Sequence, residues 1–192
     1  MSKPVLAVDF DDTLVSHVDT MVAAYNADHS DKITAHDVHF TQKVGNPEHG
    51  WGGDRSVAMA WIADYLSADH AMETPPITGA VEALRQLKEK YRLMIVTGRD
   101  KSFAPATQPW IDRFIPGLFE AVHYAGDTRK SVICNEIGAE TIIDDSPVYL
   151  ADCVAAGING IAFGDYVWNT DDKLPAGVKR AKTWQQVTDL LQ

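Results

Sequence analysis

Cysteine is almost missing from this 192-residue chain, whose two thiols are Cys134 and Cys153. Two cysteines build neither a disulfide framework nor a thiolate zinc site, so both read as small core residues within helical stretches. Long apolar runs are missing too. No stretch reaches the roughly 20 residues that span a bilayer, and the N-terminus enters a strand without a charged-then-apolar leader. Basic residues are scarce, 17 against 27 acidic ones, which leaves a formal charge of −10. That balance argues against nucleic acid as a partner, because backbone binding takes clustered Lys and Arg. It leaves room for a small anion, since a metal ion and a local Lys–Arg pocket invert the field. Internal repeats and low-complexity linkers are absent as well. Hydrophobic residues at 45% supply a packed core and exclude disorder. The expectation is a soluble cytoplasmic protein, either one large domain or a core domain with an insert.

What the chain does have is concentrated at Asp9-Phe10-Asp11-Asp12-Thr13-Leu14. These residues follow Val5–Val8, an apolar run that predicts a buried strand. Asp9 and Asp11 are two apart, so an extended backbone aims both carboxylates at one side. Carboxylates this close repel unless a cation lies between them, and hard oxygen ligands suit Mg²⁺. A turn in which Asp11, Asp12 and Thr13 cap the next helix accounts for the same spacing.

Further clusters point the same way. Tyr91–Val96 predicts a second strand, ending in Thr97-Gly98-Arg99-Asp100. A hydroxyl, a glycine and an arginine at a strand exit are the parts of an anion site. Thr141–Ile143 predicts a third strand, ending in Asp144-Asp145, and Lys130 opens a helical stretch that runs to Ile137. In an open parallel sheet the carboxyl ends of the strands share one edge, where ligands bind. The four clusters then converge despite their separation in sequence.

With Asp9-Phe10-Asp11-Asp12-Thr13, Thr97, Lys130 and Asp144-Asp145 in this order, the chain resembles the haloacid dehalogenase (HAD) superfamily over nearly its whole length. The resemblance implies an α/β fold, a HAD-like doubly wound parallel sheet of Rossmann type with a small helical cap inserted after the first strand. It also implies a phosphatase with an aspartyl-phosphate intermediate. Asp9 attacks phosphorus; Asp11 protonates the leaving oxygen and then activates water. Thr97, Gly98, Arg99 and Lys130 hold the phosphoryl group, and Mg²⁺ is bound among Asp9, Asp11, Asp144 and Asp145. One of the last two aspartates takes the metal and the other orients Lys130 or a metal-bound water; the sequence does not say which. An acid at Asp11 separates phosphatases from the dehalogenases of the superfamily, which excludes dehalogenation. Asp12 stands where many relatives carry glycine, which fits a turn or capping role.

The alternation of strand and helix continues from Ile77–Lys90 (helix) through Pro105–Ile115 (helix), Glu120–Tyr124 (strand), Val148–Ala156 (helix), Ile158–Phe163 (strand) and Val178–Ala181 (edge strand), to a closing helix capped by Thr183. Residues 1–14 and 75–192 are thus expected to form the core, and 15–74 a helical insert with helices at Val18–Ala27 and Ser56–Leu66. The resemblance makes that insert a cap which excludes water and chooses the leaving group. Phe40, Trp51, Trp61 and Tyr65 are its candidates for a wall that stacks on a substrate ring. For Trp61 and Tyr65, four apart on one helix, core packing is the competing reading. His36, His39 and His49 match no strong metal-ligand pattern, and His17 and His123 read as solvated or supporting residues.

Within the superfamily the chain resembles the 5′(3′)-deoxyribonucleotidase-like branch in its insert, in PPITGAVEAL followed by LMIVTGR, and in Phe163–Asn169. The implied substrate is a nucleoside monophosphate. Gly126–Lys130 with Val96–Asp100 also resembles the phosphatase domain of polynucleotide kinase-phosphatases. Another small phosphate ester, a polynucleotide 3′-phosphate, and a non-catalytic binding module are therefore the alternatives. A homodimer is left open as the assembly.

Overall fold

Strand β1 (Val5–Val8) is buried along its whole length, the mark of a strand covered on both faces. Its residues alternate between two cores, with Leu6 and Val8 in one and Val5 and Ala7 in the other. Strand β2 (Arg92–Thr97) divides in the same way, Leu93 and Ile95 against Met94 and Val96. Strands β3 (Ala121–Tyr124), β4 (Ala139–Asp144), β5 (Asn159–Phe163) and β6 (Lys179–Ala181) complete a sheet in the order β3-β2-β1-β4-β5-β6. Every neighbouring pair is parallel. This is the doubly wound architecture that the alternating pattern predicts. The computed structural model describes residues 3–30, 32–35, 55–67 and 69–192.

The chain divides into two compact units, residues 1–15 with 75–192, and residues 16–74. The second unit contains α1 (His17–Asp28), α2 (Arg55–Ser67) and α3 (Asp69–Glu73). Its interior is aromatic. Trp61 stacks on Tyr65 with ring centroids 5.6 Å apart and meets Tyr25 edge-on at 5.5 Å. The Tyr65 hydroxyl donates to Thr20 Oγ1 at 2.7 Å, which gives a buried phenol the partner it needs.

The sheet unit carries α4 (Ala80–Lys88), α5 (Ala104–Phe114), α6 (Lys130–Glu136), α7 (Pro147–Ala155) and α8 (Trp184–Leu190). Leu84 and Leu87 of α4, Trp110 of α5 and Trp184 of α8 join the core that holds Leu6 and Val8. Ile133 and Cys134 of α6 and Leu150 and Cys153 of α7 join the opposite core. Both cysteines are free, fully buried core residues. Thr183 caps α8 as expected, its hydroxyl accepting from the Gln186 amide.

The largest difference from the expected bounds is at the start of one helix. Helix α4 starts at Ala80 rather than Ile77, because the preceding residues are extended. Pro76 bridges to Val15, the Ile77 amide donates to the Leu14 carbonyl at 2.8 Å, and Gly79 turns the chain in the left-handed region at φ 84°. The apolar stripe of the helix is as expected, with Ala80, Ala83, Leu84 and Leu87 buried at helical spacing.

Candidate active site

Register brings the acidic clusters together. Val8 lies level with Ile95 of β2 on one side and Ile143 of β4 on the other. The residues that follow these strands therefore emerge side by side, and the Asp9 amide donates to the Ile143 carbonyl at 2.9 Å. Asp9, Asp144 and Asp145 each offer an oxygen within 4.8 Å of the others. Three carboxylate oxygens with no thiolate or imidazole among them make a donor set for a hard divalent cation.

Lys130, the first residue of α6, is fully buried at this cluster. Its Nζ donates to Asp9 Oδ1 at 2.6 Å and to Asp144 Oδ2 at 2.7 Å. Burial by itself would lower its pKa, but the charges of Asp144 and Asp9 overturn that and raise it, so Lys130 stays cationic. Burial pushes Asp9 up to about 7, against the pull of Lys130, with the charges of Asp144 and Asp11 adding to the rise. Asp144 is raised by burial against the same lysine. Asp145 is raised well above the ordinary range, by burial first and then by the charges of Asp144, Asp9 and Asp12. Such crowding is what a bound cation relieves.

The two aspartates after β4 are held differently. Asp144 has both oxygens engaged, one by Lys130 and the other by the Ser146 amide at 2.9 Å. Asp145 accepts from the indole of Trp168 through Oδ2 at 2.7 Å. Asn169 braces the same loop by donating to the carbonyls of Asp145 and Phe163. Trp168 and Asn169 were not singled out as site residues by sequence reasoning, although two side chains with N–H donors in a polar loop were the available signal.

At the exit of β2, Thr97 is fully buried and its Oγ1 accepts from the Arg99 amide at 3.2 Å. A Cβ on Gly98 would come within 2.7 Å of the Tyr149 hydroxyl, so glycine is what lets that phenol approach. Tyr149, on the first turn of α7, also places its ring 4.3 Å from Lys130 Nζ. Sequence reading passed over this tyrosine because it lies in an apolar helical stretch with no motif of its own.

Arg99 and Asp11 are paired with each other. The Arg99 guanidinium grips the carboxylate of Asp11 with two bonds, Nε at 2.9 Å and Nη2 at 2.7 Å. The carboxylate that clusters with Asp144 and Asp145 is that of Asp9; that of Asp11 faces the arginine instead. Asp12 has φ 52°, the left-handed region where glycine is easiest and aspartate among the residues that tolerate it. Its amide donates to the Val15 carbonyl, and its own carbonyl accepts from the Tyr166 hydroxyl. That is a turn role, and it explains why glycine suits this position.

In the insert, Tyr65 is buried against Trp61 and Thr20 within its own unit. Phe40 and Trp51, with His36, His39 and His49, lie outside the described residues.

The same fold recurs in solved structures over nearly their whole lengths. A haloacid dehalogenase-like hydrolase from Streptococcus pneumoniae superposes with a TM-score of 0.68 at 15% identity, covering 99% of each chain. A HAD-hydrolase from Bacillus subtilis, solved with magnesium, gives 0.68 at 13% identity and 100% of each chain. A HAD family hydrolase from Deinococcus radiodurans, solved with phosphate and sodium, gives 0.69 at 12% identity, over 98% of this chain and 95% of that one. No curated protein sequence matches the chain. The fold is therefore the one these HAD-type hydrolases share. Within that class, residues 3–192 match the model for the 5′ nucleotidase, deoxy (pyrimidine), cytosolic type C protein family, and the chain belongs to that family. The protein is accordingly a phosphatase. No helix among the described residues is long and apolar enough to cross a membrane.

Proposed function

We propose that the protein is a Mg²⁺-dependent phosphomonoester hydrolase that forms an aspartyl-phosphate on Asp9 and acts on nucleoside monophosphates. The observation that carries the chemistry is the buried Asp9–Lys130–Asp144 arrangement with Asp145 beside it at the ends of β1 and β4. The substrate class rests on the family match.

In this reading an Asp9 oxygen bonds to phosphorus as the bond to the leaving oxygen breaks, and Asp11 gives that oxygen its proton. Asp11, now ionised, takes a proton from a water molecule that attacks the phosphoryl-aspartate. Inorganic phosphate departs and Asp9 is restored. Lys130 and Thr97 hold the phosphoryl oxygens as charge moves onto them. Asp145, held through one oxygen by Trp168, would give its other oxygen to the metal, while Asp144 orients Lys130. Bound Mg²⁺ supplies positive charge that lets a carboxylate approach a phosphate dianion.

The test is phosphate release with and without Mg²⁺ from an aryl phosphate, a panel of nucleoside monophosphates and a panel of sugar phosphates. Metal-dependent turnover that disappears in a folded Asp9→Asn variant is expected, with nucleotides preferred. Near-normal activity in Asp9→Asn ends the covalent reading. Nucleotides no better than sugar phosphates end the nucleotidase reading and leave the phosphatase.

A further inference from the structure

Arg99 follows a phosphate-site threonine and glycine, which suggests a guanidinium reaching for the substrate. Its contacts are otherwise committed. Nε and Nη2 form a fork on the two oxygens of Asp11, and Nη1 donates to Thr107 Oγ1 at 2.9 Å. Thr107 is fully buried on α5 and in turn donates to the Phe103 carbonyl. The guanidinium lies 4.7 Å over the Phe10 ring, which is itself fixed edge-on against Trp110 at 5.0 Å. Helix α5 thus locks the arginine, and the arginine locks Asp11. Of the pair, the guanidinium is the buried member and the carboxylate the open one, with side chains 5% and 28% exposed. An incoming ester meets Asp11 first.

We infer that Arg99 is a positioning residue for Asp11 and not a holder of the transferring phosphate. A planar fork fixes both the place and the rotation of a carboxylate, which a point charge does not. Proton transfer needs the carboxyl within hydrogen-bond reach of the leaving oxygen in one phase and of water in the next. An aspartate held by two bonds returns to the same orientation for both steps. Thr107, which accepts from Nη1, supports the grip from behind. This inference rests on the reading of Asp11 as the proton carrier.

A double-mutant cycle tests it, with Arg99→Ala, Asp11→Asn and the pair, each with Mg²⁺ on a nucleoside monophosphate and on nitrophenyl phosphate. Misplacing the acid should lower kcat on the nucleotide by about 10- to 100-fold with KM little changed. The loss should be much smaller on nitrophenyl phosphate, whose leaving group needs little protonation. Arg99→Ala should add almost nothing in the Asp11→Asn background. Arg99→Lys should fail to restore the rate, and Thr107→Val should show a weaker form of the same pattern while keeping the charge buried in place. Calorimetric binding of inorganic phosphate should be unchanged in Arg99→Ala. Weaker phosphate binding, with KM raised alike on both substrates and losses that multiply with Asp11→Asn, would overturn the inference and make Arg99 a phosphate ligand. An unchanged kcat in both Arg99 variants would overturn it as well. Absence of turnover in the wild type would remove the proposed function instead, and the phosphate-binding comparison would still decide what Arg99 holds.

Discussion

Lys130 is a cation without solvent exposure, pinned between Asp9 and Asp144. Removing one member of a buried ionic group strands its partners, at a typical cost of about 3–5 kcal/mol. Lys130→Ala should therefore lose stability on that scale in metal-free buffer near pH 8, read from the urea midpoint. The sign with pH follows from the carboxylates. Asp9 titrates near 7 even with the lysine beside it, and losing that charge raises both aspartates further. Lowering the pH neutralises them, so the deficit should shrink toward pH 5. A variant as stable as wild type at pH 8 would mean that the two aspartates reach water or another cation. The proposed function has Lys130 meet the phosphoryl oxygens, so this variant should also be inactive.

At the scale of elements, the site is a meeting of strand exits with the first turns of α6 and α7. Among these, the Gly98 backbone after β2 comes close to the Tyr149 hydroxyl on α7. A methyl group there lands 2.7 Å from that oxygen, well inside van der Waals contact. Gly98→Ala should push the phenol aside and disturb the packing of Tyr149 over Lys130, lowering kcat/KM. Because the clash is with one hydroxyl, Tyr149→Phe should leave the fold intact, and the double variant should regain much of what Gly98→Ala loses. If the double variant is as poor as Gly98→Ala alone, the glycine serves backbone geometry or substrate approach rather than room for the tyrosine.

For the molecule as a whole, the raised carboxylates couple folding to protons and to metal. A raised aspartate pKa means that the native state binds protons the unfolded chain has released. The stabilising share of Asp9 is therefore complete below about 4 and lost as the pH rises through about 7. In the proposed function a divalent cation binds the same oxygens once they are ionised. Mg²⁺ should thus raise Tm more at pH 8 than at pH 5.5. At a hundredfold excess over Kd, ligand binding stabilises by about 2.7 kcal/mol. Asp145→Asn should remove most of the shift. A shift that is equal at both pH values, or one that survives in Asp145→Asn, would place the metal elsewhere.

Much of this was legible because its signals are local. Short apolar runs at Val5–Val8 and after Arg92, too short for helices and rich in β-branched residues, read as strands covered on both faces, and side chains at their ends emerge at one edge of a parallel sheet. The positions of Asp9, Thr97 and Asp144-Asp145 follow from that rule, while Lys130 arrives on the first turn of α6. Partnership does not, since it depends on register and helix packing between distant segments. Nothing around Arg99 in the chain announces that its fork closes on Asp11, 88 residues away. Asp144 and Asp145 are identical and adjacent, yet Asp144 at the end of β4 meets Lys130 while Asp145, just past it, meets Trp168. Tyr149 enters the site through the packing of α7, and α4 starts late because Pro76 is drawn into a bridge with Val15. Periodicity and motif spacing specify which groups reach the edge of the sheet; which oxygen each nitrogen meets there is set by three-dimensional packing.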